Sequence, residues 1–381
     1  MNLAFYVHIP YCIKRCGYCD FNTYTPSELQ ITTGLKSITN SYTNLLIAEI
    51  KSARMQIGDR ATVPSIFFGG GTPSLMEASD IKLIIAAIGS EFDLASDIEI
   101  TLESNPDTVD REKLENFYKA GVNRVSFGMQ SAIPHVLATL DRTHNPDNLY
   151  QVTQWASEVG FKEISVDLIY GTPGESKADW QKTIDTALSL PITHISAYAL
   201  IIEEGTKLAA QIKRGEVGPV DDDLTAEKYL MADHAFTKFG FNWYELSNWS
   251  KPNSESKHNL AYWLGHNWWG AGPGAHSHIN GKRFWNVKHP NLYKQKIDAG
   301  ETPVADSEDL KESQIESERL MLSIRLPSGV EKSTLNEKQI LDLSGYVKSG
   351  HLDEGNWDNG RAALTLEGRL IADRIVREIL L

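Results

Sequence analysis

The sequence predicts an α/β fold: a partial (β/α)6 barrel of the TIM-like kind, followed by a smaller α+β module resembling a winged helix. Three observations carry this. Six short apolar runs are each bounded by turn residues, helix-like stretches separate them, and the alternation stops past residue 206. Strands covered on both faces read as nearly continuous apolar runs. The runs beginning at Leu3, Ser65, Asp97, Arg124, Glu163 and His194 have that character. Helical periodicity fits 41–55, 78–88, 111–120, 149–159 and 179–188, with Gly121 and Gly160 placed to end two of these helices. Regular strand–helix alternation calls for parallel crossovers. Such folds put their chemistry at the C-terminal strand ends, where residues 69–72, Glu103, Gln130 and Asp167 fall.

Beyond the sixth run, three acids at 221–223 precede a helix-like stretch at 224–239. Residues 241–285 are dense in Trp, His and Gly, and from about 307 two amphipathic segments flank a Gly/Asp/Asn-rich hairpin at 353–360. The expected organisation is a core barrel over 1–235, a His/Trp-rich connecting region over 236–305, and a C-terminal winged-helix-like domain over 306–381.

With 381 residues and 41% apolar content, the chain has the composition of a globular protein of two or three domains. Its net charge of −13 argues against a nucleic-acid surface, even with a winged-helix order at the C-terminus. The N-terminal MNLAFYVHIPYC has no basic region and no long apolar run, so the expectation is a cytoplasmic protein without signal peptide or membrane span. Peripheral membrane contact and a homodimer stay open.

The chain has three cysteines, Cys12, Cys16 and Cys19, all within eight residues directly after the first strand. An odd, clustered set is a poor disulfide framework and a better metal site. Zinc would take the three thiolates and His8, but structural zinc pairs two separated knuckles, and here there is one. A [4Fe-4S] cluster on three thiolates leaves one iron open to a small molecule.

CxxxCxxC at the end of a first strand, with Tyr18 before the last cysteine, resembles the radical SAM superfamily. There, a reduced [4Fe-4S] cluster chelates S-adenosylmethionine (SAM) and cleaves it to a 5′-deoxyadenosyl radical. YVHIPYC, GGGTPS, ESNPD, SFGMQS, DLIYGTPG and GPGAHS narrow the resemblance to the subfamily of oxygen-independent coproporphyrinogen III dehydrogenase (oxidase) and its heme-chaperone relatives, HemW. By that resemblance Tyr6 and Tyr18 flank SAM. Gly70, Gly71 and Thr72 contact its methionine part, and Glu103, Gln130, Arg142 and Asp167 hold its amino-acid and ribose groups. The dehydrogenase pattern has a further cysteine two positions after the third. Here Phe21 stands there, and only eleven residues precede Cys12. Both departures favour the heme chaperone, a protein that binds heme and passes it to recipient hemoproteins, over the decarboxylating enzyme. His258-Asn-Leu-Ala-Tyr262-Trp263 resembles the chaperones' heme-associated HNxxYW motif, which makes His258 the expected axial ligand, with His266, His276, His278 and His289 as alternatives.

Overall fold

The computed structural model describes residues 1–30, 35–58, 60–142 and 145–380. The first six strands alternate with helices: β1 (Leu3–Ile9), α1 (Leu35–Ile57), β2 (Thr62–Gly70), α2 (Ala78–Glu91), β3 (Asp93–Ser104), α3 (Arg111–Lys119), β4 (Arg124–Gln130), α4 (Pro134–Thr139), α5 (Asn148–Val159), β5 (Glu163–Tyr170), α6 (Lys177–Leu188) and β6 (His194–Ala199). Neighbouring strands from β1 to β6 pair in parallel, so the partial barrel is observed. Local chemistry sets the helix ends. The Asp110 carboxylate accepts from the Lys113 N–H, and Ser176 and Asp179 form a reciprocal capping box. Gly160 takes a left-handed φ of 112° where α5 must stop.

Along β1 the side chains alternate. Phe5 and Val7 enter a core with Leu46, Ile50, Phe68 and Phe92, while Tyr6 turns to the barrel interior. The same period of two puts Thr101 and Glu103, Ser126 and Gln130, Ser165 and Asp167, and Ser196 and Tyr198 around one internal cavity.

The second half departs from the expected plan. After α7 (Lys207–Lys213) and α8 (Asp222–Lys238), β7 (Asn242–Glu245) and β8 (Asn248–Ser250) form a hairpin beside β6. The chain then crosses under the barrel as α9 (Lys257–Trp263) and returns as β9 (Asn267–Ala271), parallel to β1 on its free edge. β10 (His276–Ile279), β11 (Lys282–Asn286), α10 (Pro290–Asp298) and β12 (Val304–Asp309) follow. The result is one sheet of twelve strands in the order β12-β11-β10-β9-β1-β2-β3-β4-β5-β6-β8-β7. The His/Trp-rich stretch is therefore an extension of the barrel sheet.

The C-terminal part has its own apolar cluster, including Leu320, Ile324, Leu343, Leu352, Ile375 and Ile379. It comprises α11 (Glu312–Ser323), β13 (Val330–Glu331), α12 (Glu337–Lys348), α13 (Glu354–Asp358), β14 (Arg361–Ala362), α14 (Leu366–Leu370) and α15 (Ala372–Leu380). The expected hairpin at 353–360 is instead α13, because the Asp353 carboxylate caps it by accepting from the Asn356 N–H. The two-stranded antiparallel sheet of this part pairs β13 with β14 across α12 and α13.

Candidate functional site

The strand-end residues converge on a cavity of about 710 Å³, within the range of small-molecule and cofactor sites. Thirteen residues singled out from the sequence line it: Tyr6, Cys12, Cys16, Tyr18, Cys19, Gly70, Gly71, Thr72, Glu103, Gln130, Arg142, Asp167 and His258; the alternative histidines 266, 276, 278 and 289 do not.

The cysteines sit on a loop pinned at both ends. His8 bonds through Nε2 to the Asn22 carbonyl (2.9 Å) and through Nδ1 to the Tyr6 hydroxyl (3.0 Å). Both ring nitrogens are engaged, which removes His8 as a fourth ligand for zinc. The Thr72 hydroxyl donates to Cys12 Sγ (3.6 Å), and Arg142 Nη1 donates to Cys16 Sγ (3.5 Å). Burial raises the Cys12 thiol pKa and pushes that of Cys19 up to about 11. Holding both as thiolates therefore calls for a strong local cation. Among the described residues no three ligating side chains close around a single ion. A cubane instead takes one thiolate at each of several iron corners, so three cysteines lining one cavity fit a cluster better than a lone ion.

In the same cavity two buried polar atoms are without partners. Arg142 Nη2 donates to the Gly128 carbonyl (2.8 Å), but its Nε has no acceptor; Thr101 Oγ1 is likewise buried and unpaired. Buried polar atoms are rarely left so, and both line the cavity. Burial pushes the Glu103 carboxyl up to about 8; the nearby Asp167 charge adds to this, and the Gly70 N–H (3.2 Å) opposes it. Burial also raises Asp167, against the Ser196 and Ser126 hydroxyls and Arg142. Two half-buried carboxyls, an arginine and unpaired donors suit a ligand that carries a cation, a carboxylate and hydroxyls. SAM is such a molecule.

The glycines have a cause the sequence reading did not give. At Gly70, φ is +112° and a Cβ would lie 2.5 Å from the His8 ring. At Gly71 it would meet the Tyr11 carbonyl at 2.6 Å and Cys12 Sγ at 3.0 Å. They are required so that β2 can pack against the cysteine loop, before any ligand is considered.

His258 lies at the inner end of the cavity, on α9. Its Nδ1 bonds Ser65 Oγ (2.9 Å) and its Nε2 the Tyr262 hydroxyl (2.9 Å), and it is 2% exposed. Burial takes its pKa down to about 3. Glu99 on β3 caps α9, accepting from the Lys257 and His258 N–H groups and the Ser256 hydroxyl. The HNxxYW segment is thus a helix closing the barrel floor, with a neutral histidine whose two nitrogens are already occupied. From it, rings follow one another outward: Phe67–His258 at 5.1 Å, His258–Tyr262 at 5.0 Å, Tyr262–Trp268 at 4.9 Å and Trp268–His278 at 4.9 Å.

Sequence reasoning missed Thr101, Ser126 and Tyr198. For Thr101 and Ser126 the available signal was small polar residues at alternate positions inside otherwise apolar strands.

A parallel partial barrel with CxxxCxxC on the loop after β1 defines a radical SAM protein, and the model of the radical SAM superfamily matches residues 6–187. Along nearly its whole length the chain is 42% identical over 375 residues to the heme chaperone HemW of Mycobacterium tuberculosis, covering 98% of this chain and 94% of that one. It is 34% identical to HemW of Bacillus subtilis, with 97% of each chain covered. This chain belongs to the HemW family of the radical SAM superfamily. The coproporphyrinogen III oxidase HemN of Escherichia coli shares its fold, with a TM-score of 0.83 at 20% identity over 99% of this chain and 90% of that one.

Proposed function

We propose that this protein is a heme chaperone that binds heme and delivers it to recipient hemoproteins, on a scaffold holding a [4Fe-4S] cluster and SAM. One observation carries this: the near full-length identity to relatives named as heme chaperones. Cys12, Cys16 and Cys19 hold the cluster, which supplies an open iron and an electron for SAM when bound. Tyr6 and Tyr18 flank SAM. Residues 70–72 border its methionine part, and Arg142, Glu103, Gln130 and Asp167 meet its charged and hydroxyl groups. Supporting this are the shared cavity and the unpaired Arg142 Nε and Thr101 Oγ1. Among the described residues no helix is long and apolar enough to cross a membrane. A cytoplasmic location fits three reduced, clustered thiols.

Phe21, where the dehydrogenase pattern has its extra cysteine, is 62% exposed at the cavity rim, so no fourth thiol is available there. The test uses cluster-loaded protein in two assays. Saturable heme binding with transfer to an apo-hemoprotein, and no conversion of coproporphyrinogen III, is expected. Robust decarboxylation without heme transfer would replace the chaperone reading with the enzyme.

A further inference from the structure

Asn22 follows shortly after the last cysteine and joins the cysteine loop to a part of the chain 251 residues further on. Its Nδ2 donates to the Pro273 carbonyl (3.0 Å) and the Lys288 carbonyl (2.9 Å). Its Oδ1 accepts from the Tyr24 hydroxyl (3.2 Å), and its backbone carbonyl accepts from His8 Nε2 (2.9 Å). Two carbonyls on one side and a hydroxyl on the other fix the direction of the amide. The chain then folds back on itself. The Cys12 N–H donates to the Tyr24 carbonyl (3.0 Å), and the Tyr24 N–H to the Pro10 carbonyl (2.7 Å). Residues 22–24 thus form the neck of the loop that carries Cys12, Cys16 and Cys19.

The connection between β9 and β10 is shaped to receive this neck. Gly274 has a φ of +74°, and a Cβ there would lie 2.5 Å from Asn22 Nδ2. Its N–H is held by the Val287 carbonyl (3.0 Å). The Gly272 N–H donates to Glu49 on α1 (2.8 Å), whose buried carboxyl also accepts from Asn286 Nδ2 (2.6 Å) and the Tyr293 hydroxyl (2.5 Å). Earlier on α1, the Tyr42 hydroxyl donates to the His8 carbonyl (2.6 Å). This helix therefore holds both the strand that leads into the cysteine loop and the turn that Asn22 grips.

Asn22 does not itself line the cavity, although Phe21 and Thr23 on either side of it do. Its effect on the site passes through the loop. Two sulfur contacts depend on where that loop is held: the Thr72 hydroxyl to Cys12 Sγ at 3.6 Å and Arg142 Nη1 to Cys16 Sγ at 3.5 Å. Hydrogen bonds to the sulfurs and solvent exposure tune the electronic state of an iron–sulfur cluster.

We propose that Asn22 is a positioning residue for the cluster, and that the β9–β10 connection acts on the cysteines through it. The proposal rests on the cluster reading of the three cysteines. It makes the far half of the sheet part of the cluster's surroundings. A change in that connection is felt at the thiols without touching them.

The test reads the EPR spectrum and reduction potential of the cluster in anaerobically reconstituted full-length protein, with iron content and melting temperature as measures of folding. Asn22→Ala should alter the g-values and speed iron loss to a chelator several-fold. Gly274→Ala leaves the cysteine loop's own sequence intact and should alter the g-values as well. In the double variant the new Cβ no longer meets an amide, and only the Cβ of residue 22, at 3.2 Å, remains close. Its spectrum should therefore match that of Asn22→Ala alone. Gly300→Ala is the control: that glycine is also left-handed (φ +72°), but its Cβ would meet nothing. It should lower the melting temperature and keep the wild-type spectrum. If Asn22→Ala or Gly274→Ala does not fold, Glu49→Gln takes its place, because its amide group confronts one of the three donors and loosens the turn. Wild-type g-values and potential in the iron-loaded variants overturn the proposal. So does a double variant whose change is the sum of the two single ones. A wild-type protein that takes up no cluster would instead overturn the cluster reading itself.

Discussion

Glu103 gives the sharpest quantitative test of the cavity. Its carboxyl lies inside the cavity and is pushed up to about 8, chiefly by burial and then by Asp167. At pH 7 a group with that pKa is about 90% protonated. The SAM sulfonium is a permanent cation, and a cation brought beside Glu103 favours the carboxylate. Binding should therefore expel close to one proton from this residue. The perturbation is Glu103→Gln, which keeps the shape and acceptor but cannot titrate. The assay is calorimetric titration of SAM into cluster-loaded protein at pH 7, in two buffers of different ionisation enthalpy. Wild type minus variant should amount to about 0.9 proton released per SAM. SAM's own amine contributes equally to both and cancels. The same shift bears on stability. The folded pKa lies above the unfolded one, so the folded state holds more protons between about pH 4.5 and 8, and stability falls as pH rises through that window. The ligand-free protein should lose melting temperature across it, and Glu103→Gln should lose less. Identical proton release by the two proteins would refute the placement of SAM's cation beside Glu103.

Reconstituted protein should hold about four irons per chain by iron assay, and Ser at Cys12, Cys16 or Cys19 should abolish this, since no other thiols exist. Arg142→Ala should cost SAM binding about 1.5–3 kcal/mol by equilibrium dialysis, the range for a hydrogen bond to a charged group. His258→Ala should lower unfolding free energy by about 2–4 kcal/mol in denaturant titration, through a cavity in the floor and two orphaned hydroxyls. An undiminished stability there would argue that α9 is not a floor.

The barrel was legible because β1 to β6 are covered on both faces and so must be apolar runs. Their order then placed Glu103, Gln130, Asp167 and residues 69–72 at one end. The strands of the second half were not legible for the opposite reason. β12 reads Val-Ala-Asp-Ser-Glu-Asp and is largely exposed at the sheet edge, so it carries no apolar signal. β9 and β10 are short and rich in His, Trp and Gly, residues that composition assigns to a ligand region as readily as to a sheet. His258 shows the limit most clearly. The i, i+4 spacing with Tyr262 predicts one helical face, and the two rings do meet. Nothing local to the motif says that this face points into a barrel whose Ser65 and Glu99 lie far upstream. The glycines at 70 and 71 are a similar case: sequence identified them, but the steric reason, His8 and the Tyr11 carbonyl, is tertiary.

The pairing of Ala4 with Trp268 has a consequence for how the chain comes off the ribosome. β1 and the cysteine loop emerge first, yet one edge of β1 stays bare until β9 has been made, and the floor stays open until α9 has. For most of synthesis the nascent chain carries an apolar strand with unpaired backbone groups, the kind of edge that recruits wrong partners. Pairings so distant in sequence close slowly. A truncation before residue 257 would keep every cluster ligand and most of the cavity wall. It would still leave the β1 edge unpaired, so such fragments should aggregate even though they contain the whole cysteine motif. Early cluster insertion would act on a barrel whose wall and floor are still unfinished, and completion of the His/Trp-rich strands would be the step that seals it.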